Sequence, residues 1–123
     1  MALTYRRTIA GVDWALLATI IQDAGLGHAI PADLERAYTN SVLVVFAYDH
    51  DTLIGAARAI SDGVYHAQLC DMVVTPTRQR QGIGRHMAEL LVHDLTGIKV
   101  LLQSGMEGGA NERWDRLEEL LAA

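Results

Sequence analysis

The sequence predicts an α+β fold in which helices pack on a mixed, mainly antiparallel sheet. Two observations lead to this prediction. Strand-type and helix-type apolar periodicities follow one another in the order β-α-α-β-β-β-α-β-α. Tight-turn residues separate the three central strands, so these strands should be antiparallel neighbours. With 123 residues, the chain has the size of one domain, and we expect a single domain over residues 1–123.

The composition argues against several classes of protein. Hydrophobic residues make up 50% and charged residues 20% of the chain, as in ordinary globular proteins. The formal net charge of -5 argues against a nucleic-acid surface, which needs clustered basic residues. We expect no membrane partner, since there is neither a leader-like N-terminus nor a membrane-spanning apolar run. The single cysteine, Cys70, indicates a cytoplasmic protein without internal disulfides.

The first third of the chain predicts one strand and two short helices. Alternation of polar and apolar residues favours a half-buried strand over Leu3–Ile9. Asp13 suits the N-cap of a first helix, and Gly25 suits its C-terminal stop. Pro31 fits the first turn of a second helix that runs to about Thr39.

Three strand-like runs follow, and turn residues separate them. β-Branched and aromatic residues predict strands over Val42–Tyr48 and Leu53–Ile60, with a turn at Asp49-His50-Asp51. Asp62-Gly63 predicts another tight turn. A long third strand is then expected over Val64–Val74.

The last part of the chain predicts a helix, a strand and a final helix. The first helix should run from Gly82 to about Leu95 and end at Gly97. The apolar run Ile98–Gln103 predicts a buried strand, and a final helix is expected over about Asn111–Leu121. The strand would leave an apolar sheet edge, which proteins cover or pair. We therefore expect a homodimer through this strand or the final helix.

A loop suited to phosphate lies between the long strand and the next helix. Residues 71–91 are DMVVTPTRQRQGIGRHMAELL. N–H groups in the first turn of a helix lack intrahelical partners and can bind an anion. Gly82 and Gly84 would let a phosphate approach the backbone. Three arginines nearby have suitable geometry for phosphate oxygens: Arg78, Arg80 and Arg85. We expect an anionic ligand here; the alternative is a glycine-rich turn with solvated arginines.

The spacing of the glycines resembles one family motif and not two others. No Lys-Ser/Thr follows Gly84 as in a Walker A loop, and Met87 replaces the last glycine of the dinucleotide fingerprint. The pattern Gln79-x-x-Gly82-x-Gly84 resembles motif A of the GNAT superfamily of N-acetyltransferases. In that family the loop binds the pyrophosphate of acetyl-coenzyme A. The resemblance covers roughly residues 3–104, and no counterpart of the family's C-terminal tyrosine and final strands follows.

The resemblance implies direct transfer of an acetyl group from acetyl-CoA, as cosubstrate, to a primary amine of a small molecule. It places the pantetheine and thioester contacts on Met72, Val73 and Val74. It places the pyrophosphate contacts on Gln79, Arg80, Gln81, Gly82, Ile83, Gly84 and Arg85. The alternatives are an acyltransferase for longer acyl chains and a truncated, non-catalytic relative that binds coenzyme A or dimerises.

A protonated amine must lose a proton before it attacks a thioester, so a base is needed. Asp71 is the first candidate because it directly precedes the expected thioester site; its other interpretation is a turn cap or the partner of an arginine. His66 is the second candidate, since histidine titrates near neutral pH, and its alternative is a surface or packed histidine. We expect Cys70 to be a core residue rather than a nucleophile, and we expect no metal site.

Overall fold

The computed structural model describes residues 2–102 of the chain. Within them, a five-stranded sheet is flanked by three α-helices. The strands are β1 (Leu3–Arg6), β2 (Leu43–Asp49), β3 (Thr52–Ser61), β4 (His66–Val74) and β5 (Lys99–Leu102). The helices are α1 (Trp14–Asp23), α2 (Pro31–Thr39) and α3 (Ile83–Asp94), and a 3₁₀ turn spans Pro76–Arg78. The predicted final helix lies outside the described residues, so the single domain over residues 1–123 stays a prediction.

The strands lie in the order β1-β2-β3-β4-β5. The first four are antiparallel neighbours, whereas β5 runs parallel to β4. The parallel pairing follows from the connection, because α3 crosses one face of the sheet between these two strands. The predicted α+β class with a mixed, mainly antiparallel sheet is confirmed.

Helices cover both faces of the sheet. On one face, Ile83, Met87 and Leu91 of α3 pack on buried strand residues such as Leu69. On the other face, α1 and α2 pack around Phe46, which is fully buried. Each large buried side chain contributes roughly 1.5–3 kcal/mol to folding. The two cores therefore fix the sheet between α3 and the α1–α2 pair.

Local sequence rules placed the helix starts correctly. Asp13 is the N-cap of α1, where its Oδ1 accepts a hydrogen bond of 3.0 Å from the N–H of Leu16. Gly25 follows the helix with a φ of +79°, as expected for a C-terminal stop. Pro31 is the first residue of α2.

Two strand boundaries differ from the predictions by more than one residue. β1 ends at Arg6 rather than Ile9, and Arg7 instead uses its side chain, with Nε donating to the carbonyl of Val44 at 2.9 Å. β4 begins at His66 rather than Val64 because Asp62 extends the turn. Its Oδ1 accepts backbone hydrogen bonds from residues 64, 65 and 66 at 2.8, 2.8 and 3.2 Å. These three bonds hold the pKa of Asp62 below its usual value.

The strand β5 forms one edge of the sheet within the described residues. The homodimer expected across this edge or through the final helix stays a prediction, since one chain is described. Between residues 2 and 102, no helix is long and apolar enough to cross a membrane.

Gly55 of β3 occupies a position with no room for a side chain. A Cβ atom there would lie 2.9 Å from the carbonyl oxygen of Val73 and 3.3 Å from Cε of Met87. We expect Gly55→Ala to lower the free energy of unfolding by about 1–3 kcal/mol, measured by urea denaturation, because the backbone of β4 must move.

Gly84→Ala is the matched control for this substitution. Its Cβ would meet Cγ2 of Val74 at 3.7 Å, which is an ordinary contact, and alanine favours the helical conformation. An unchanged stability of Gly55→Ala, or an equal loss in both variants, would contradict the packing described here.

Candidate functional site

The strand β4 is paired on its two sides to different extents. Its pairing with β3 extends from Ala67 to Val74. Its pairing with β5 is described from His66 opposite Lys99 to Leu69 opposite Leu102, where the described part of the chain ends. Within residues 2–102, no strand lies on the β5 side of Met72–Val74. We refer to Met72–Val74 as the open half of β4, and main-chain groups on that side could pair with a bound molecule.

A β-bulge in the β3–β4 pairing lies at the start of this half of the strand. Asp71 and Met72 together lie opposite the single residue Ala57, since Cys70 pairs with Arg58 and Val73 pairs with Ala56. Asp71 has a φ of +55°, which is uncommon for a residue other than glycine. Bulges of this kind redirect side chains and are frequent next to active sites.

The chain passes directly from the open half into the loop before α3. The N–H of Thr75 still bonds to the carbonyl of Ile54 at 2.8 Å, and the 3₁₀ turn follows. Arg80 and Gly82 then adopt positive φ values of +65° and +83°. Glycine tolerates this conformation without the steric cost that a Cβ adds.

The N-terminus of α3 has the properties of an anion site. Among the described residues, no side chain caps this helix, and the N–H of His86 bonds to the carbonyl of Gly82 at 3.0 Å. The N–H groups of Ile83, Gly84 and Arg85 come before that first intrahelical bond, so they have no partner within the helix. They therefore point beyond the helix end, where the helix dipole favours negative charge.

Two side-chain contacts fix the loop on the sheet. Arg78 Nη1 donates to Asp49 Oδ2 at 2.7 Å and thereby ties the loop to the end of β2. Gln79 Nε2 donates to the carbonyl of Val74 at 3.0 Å and ties it to β4. The hydrogen bond from Arg78, followed by one from the N–H of Ala2, holds the pKa of Asp49 below its usual value. The loop is thus positioned by β2 and β4 together.

Asp71 forms an ion pair that the sequence reasoning considered only in general terms. Arg58 Nε donates to Asp71 Oδ2 at 2.5 Å, and Arg58 Nη1 donates to Ser41 Oγ at 3.2 Å. The side chains of Arg58 and Asp71 are 17% and 31% exposed. Burial lowers the pKa of Arg58, but the hydrogen bond and charge of Asp71 more than offset this effect, so the net shift is upward. Arg58 is permanently charged beside the bulge.

Tyr38 lies under the same cluster. Its ring packs 5.2 Å from that of Phe46, and the guanidinium carbon of Arg58 lies 5.8 Å from its centroid. Among the described residues, its buried hydroxyl has no hydrogen-bond partner. Burial, with a smaller contribution from the Asp71 charge, raises the pKa of Tyr38 far above its usual range. Tyr38 is therefore a neutral hydroxyl at ordinary pH.

The structure separates the two candidate bases. Asp71 lies at the bulge, whereas His66 is exposed at the start of β4. Five residues of extended chain span ~16 Å, so the two side chains do not act at one point. Cys70 is buried, and burial raises the pKa of its thiol, as for a core cysteine. In the range 2–102, no group of three His, Cys, Asp or Glu side chains could hold a metal ion.

Sequence reasoning did not find Arg58, Ser41 or Tyr38. One signal was present, because Arg58 is the only charge in the run LIGAARAI of β3. A lone charge in a buried strand requires a partner. Which carboxylate provides it depends on the register of β3 against β4, and the bulge changes that register.

Solved bacterial structures share this fold. A protein from Staphylococcus aureus superposes with a TM-score of 0.81 at 21% identity, covering 94% of this chain and 88% of that chain. A protein from Clostridium acetobutylicum, crystallised with acetyl-CoA, gives a TM-score of 0.67 at 21% identity, with coverage of 95% and 88%. At such identities the likeness shows the fold alone.

The chain belongs to the GNAT acetyltransferase family, whose family model matches residues 14–103. Serotonin N-acetyltransferase 2, chloroplastic, from Oryza sativa is 34% identical over 96 residues, which are 75% of this chain and 48% of that protein. GCN5-related N-acetyltransferase 1, chloroplastic, from Arabidopsis thaliana is 33% identical over 92 residues, 73% of this chain and 47% of that protein.

The chain spans about half the length of these two curated relatives. The predicted family is confirmed. The predicted cytoplasmic location stays a prediction, since the names of both relatives include the word chloroplastic.

Proposed function

We propose that this protein is an acetyl-CoA dependent N-acetyltransferase that acetylates the primary amine of a small molecule by direct transfer. The observation that carries the proposal is the continuous path from the bulge at Asp71, along the open half of β4, to the uncapped N-terminus of α3. Family membership and the acetyl-CoA complexes of structural neighbours from Clostridium acetobutylicum and Brucella melitensis support the cosubstrate. The rice relative is named for serotonin, which is itself a primary amine.

The loop and the start of α3 fit the pyrophosphate of acetyl-CoA. The N–H groups of residues 83–85 supply donors, and the space that a Cβ of Gly82 would occupy is open. The side chain of Gln79 is bonded to Val74, so its share of the binding would come from the backbone. The proposed pyrophosphate residues are Gln79, Arg80, Gln81, Gly82, Ile83, Gly84 and Arg85.

The open half of β4 fits the pantetheine arm. The side chains of Met72, Val73 and Val74 are all buried in the two cores. These residues would therefore bind through their main-chain N–H and carbonyl groups, as an added strand would. An N–H of this segment would also donate to the acyl oxygen and stabilise negative charge there.

Asp71 is the proposed base. When bound, acetyl-CoA supplies an acetyl group activated as a thioester. The carboxylate of Asp71 is partly exposed, lies on the α1–α2 side of the sheet and precedes the open half by one residue. It would attract a protonated amine and accept its proton, so that the free amine could attack the thioester carbon. As the new C–N bond forms, the C–S bond would break, and the coenzyme A thiolate would take a proton from water. His66 stays the second candidate, and its position at the start of β4 suits a contact with a remote part of the acceptor.

The binding part of the proposal can be tested at Gly82. Asparagine and aspartate have nearly the same shape, and both tolerate a positive φ better than other side chains do. We expect Gly82→Asp to weaken acetyl-CoA binding at least ~10-fold, because its charge would face the pyrophosphate, and Gly82→Asn to weaken binding less than ~3-fold. Calorimetric titration measures both affinities. Equal affinities for the two variants, or no binding by the parent protein, would exclude a pyrophosphate at this loop.

The catalytic part can be tested with Asp71→Asn, because asparagine keeps an oxygen for Arg58 but loses the basic group. We expect kcat to fall by ~10²-fold or more, with acetyl-CoA affinity unchanged, when thiol release is followed with a panel of primary amines. His66→Gln tests the second candidate and should keep kcat within ~3-fold of the parent if Asp71 is the base. Parental kcat in Asp71→Asn would remove Asp71 as the base. A parent protein that binds acetyl-CoA but acetylates no amine would instead be a coenzyme A-binding module.

A further inference from the structure

Arg58 is placed where a charge is costly. It lies in β3 between alanines that are fully buried, and it faces the α1–α2 side of the sheet. A guanidinium in such surroundings needs partners for its N–H groups. The structure provides two of them, Asp71 and Ser41, and they lie in different parts of the chain.

The partners hold the guanidinium in one orientation. Nε bonds to Asp71 on β4, and Nη1 bonds to Ser41 just after α2. Ser41 is fixed in turn, since its Oγ donates to the carbonyl of Ala37 at 2.7 Å. The ring of Tyr38 lies on the same guanidinium. Arg58 thus connects the bulge of β4 to the C-terminal end of α2.

The residue that Arg58 holds has an uncommon backbone conformation. Asp71 has a φ of +55°, and such a conformation persists in a residue other than glycine when the surroundings enforce it. Arg58 pairs in register with Cys70, directly beside the bulge. The ion pair therefore acts at the point where the orientation of Asp71 is decided.

We propose that Arg58 is a positioning residue, which holds the carboxylate of Asp71 in the orientation that amine acetylation requires. The inference rests on the proposed function, because it assigns Arg58 a role in the reaction only through Asp71. Arg58 has no part in the loop before α3, so its removal should affect the chemical step and not the binding of acetyl-CoA. If the ion pair only stabilised the fold, its removal would not lower kcat selectively while leaving the acetyl-CoA affinity unchanged.

The chain offers a matched control in Arg7. Arg7 also makes two contacts, through Nε to the carbonyl of Val44 at 2.9 Å and through Nη2 to Asp94 at 2.7 Å. The partners are Val44 on β2 and Asp94 at the end of α3, and neither contact involves Asp71 or Arg58. Removing Arg7 therefore costs comparable structural contacts without touching Asp71.

The experiment compares Arg58→Ala, Arg58→Lys and Arg7→Ala by amine acetylation, acetyl-CoA titration and thermal melting. We expect Arg58→Ala to lower kcat at least ~30-fold and leave acetyl-CoA affinity within ~3-fold, since small misplacements of catalytic groups cost up to 10²-fold. Millimolar ethylguanidinium should restore part of the kcat in a saturable manner. Lysine keeps the charge but lacks the fork of donors, so Arg58→Lys should lose kcat at least ~10-fold. Arg7→Ala should keep kcat within ~3-fold and show no rescue.

A kcat equal to that of the parent protein in Arg58→Ala or in Arg58→Lys would overturn the proposal. An equal loss of kcat in Arg58→Ala and Arg7→Ala, without rescue by ethylguanidinium, would overturn it as well. If Arg58→Ala does not fold, the lysine variant decides. The ¹³C chemical shift of the Asp71 carboxyl group gives a readout that needs no turnover. It should change in Arg58→Lys and not in Arg7→Ala, and an unchanged shift in both contradicts the proposal. Absence of turnover by the parent protein would instead refute the proposed function.

Discussion

The unequal pairing of β4 is the constraint on which the rest of the structure depends. Among the described residues, this strand is hydrogen-bonded to β3 along nearly its whole length and to β5 along its first half. Main-chain groups in a protein interior need hydrogen-bond partners, and no described strand supplies them to Met72–Val74 on the β5 side. The bulge at Asp71 and the loop before α3 lie at the two ends of this opening. One feature of sheet topology thus places the proposed acyl, pantetheine and pyrophosphate contacts in a row.

Two ion pairs lie at the ends of this opening, one at the bulge and one at the loop before α3. Asp49 and Arg78 tie the loop to β2, and Arg58 and Asp71 tie the bulge to β3. Both pairs have side chains that are largely shielded from solvent, so loss of one partner would leave a poorly solvated charge. The glycine loop supplies backbone donors, while these pairs determine where the donors lie. The site therefore depends on β2 and β3 as much as on the motif itself.

Much of the fold could be predicted because its signals are local. Asp13, Pro31 and Gly82 mark helix ends through chemistry confined to one turn, and the structure has helices at those positions. The glycine spacing indicated the family, and the family model confirms it. The bulge could not be predicted, because it depends on the register between β3 and β4 and not on any single residue. For the same reason Arg58 and Ser41, which are distant from Asp71 in sequence, were not recognised as its neighbours.

The central claim is that acetyl-CoA occupies the opening between the bulge and the N-terminus of α3. Amide hydrogen exchange, followed residue by residue by NMR with and without saturating acetyl-CoA, tests it most directly. The account predicts slower exchange within Met72–Val74 and Ile83–Arg85, with little change in α1. Unchanged exchange in both segments, or protection confined to α1 and α2, would contradict it.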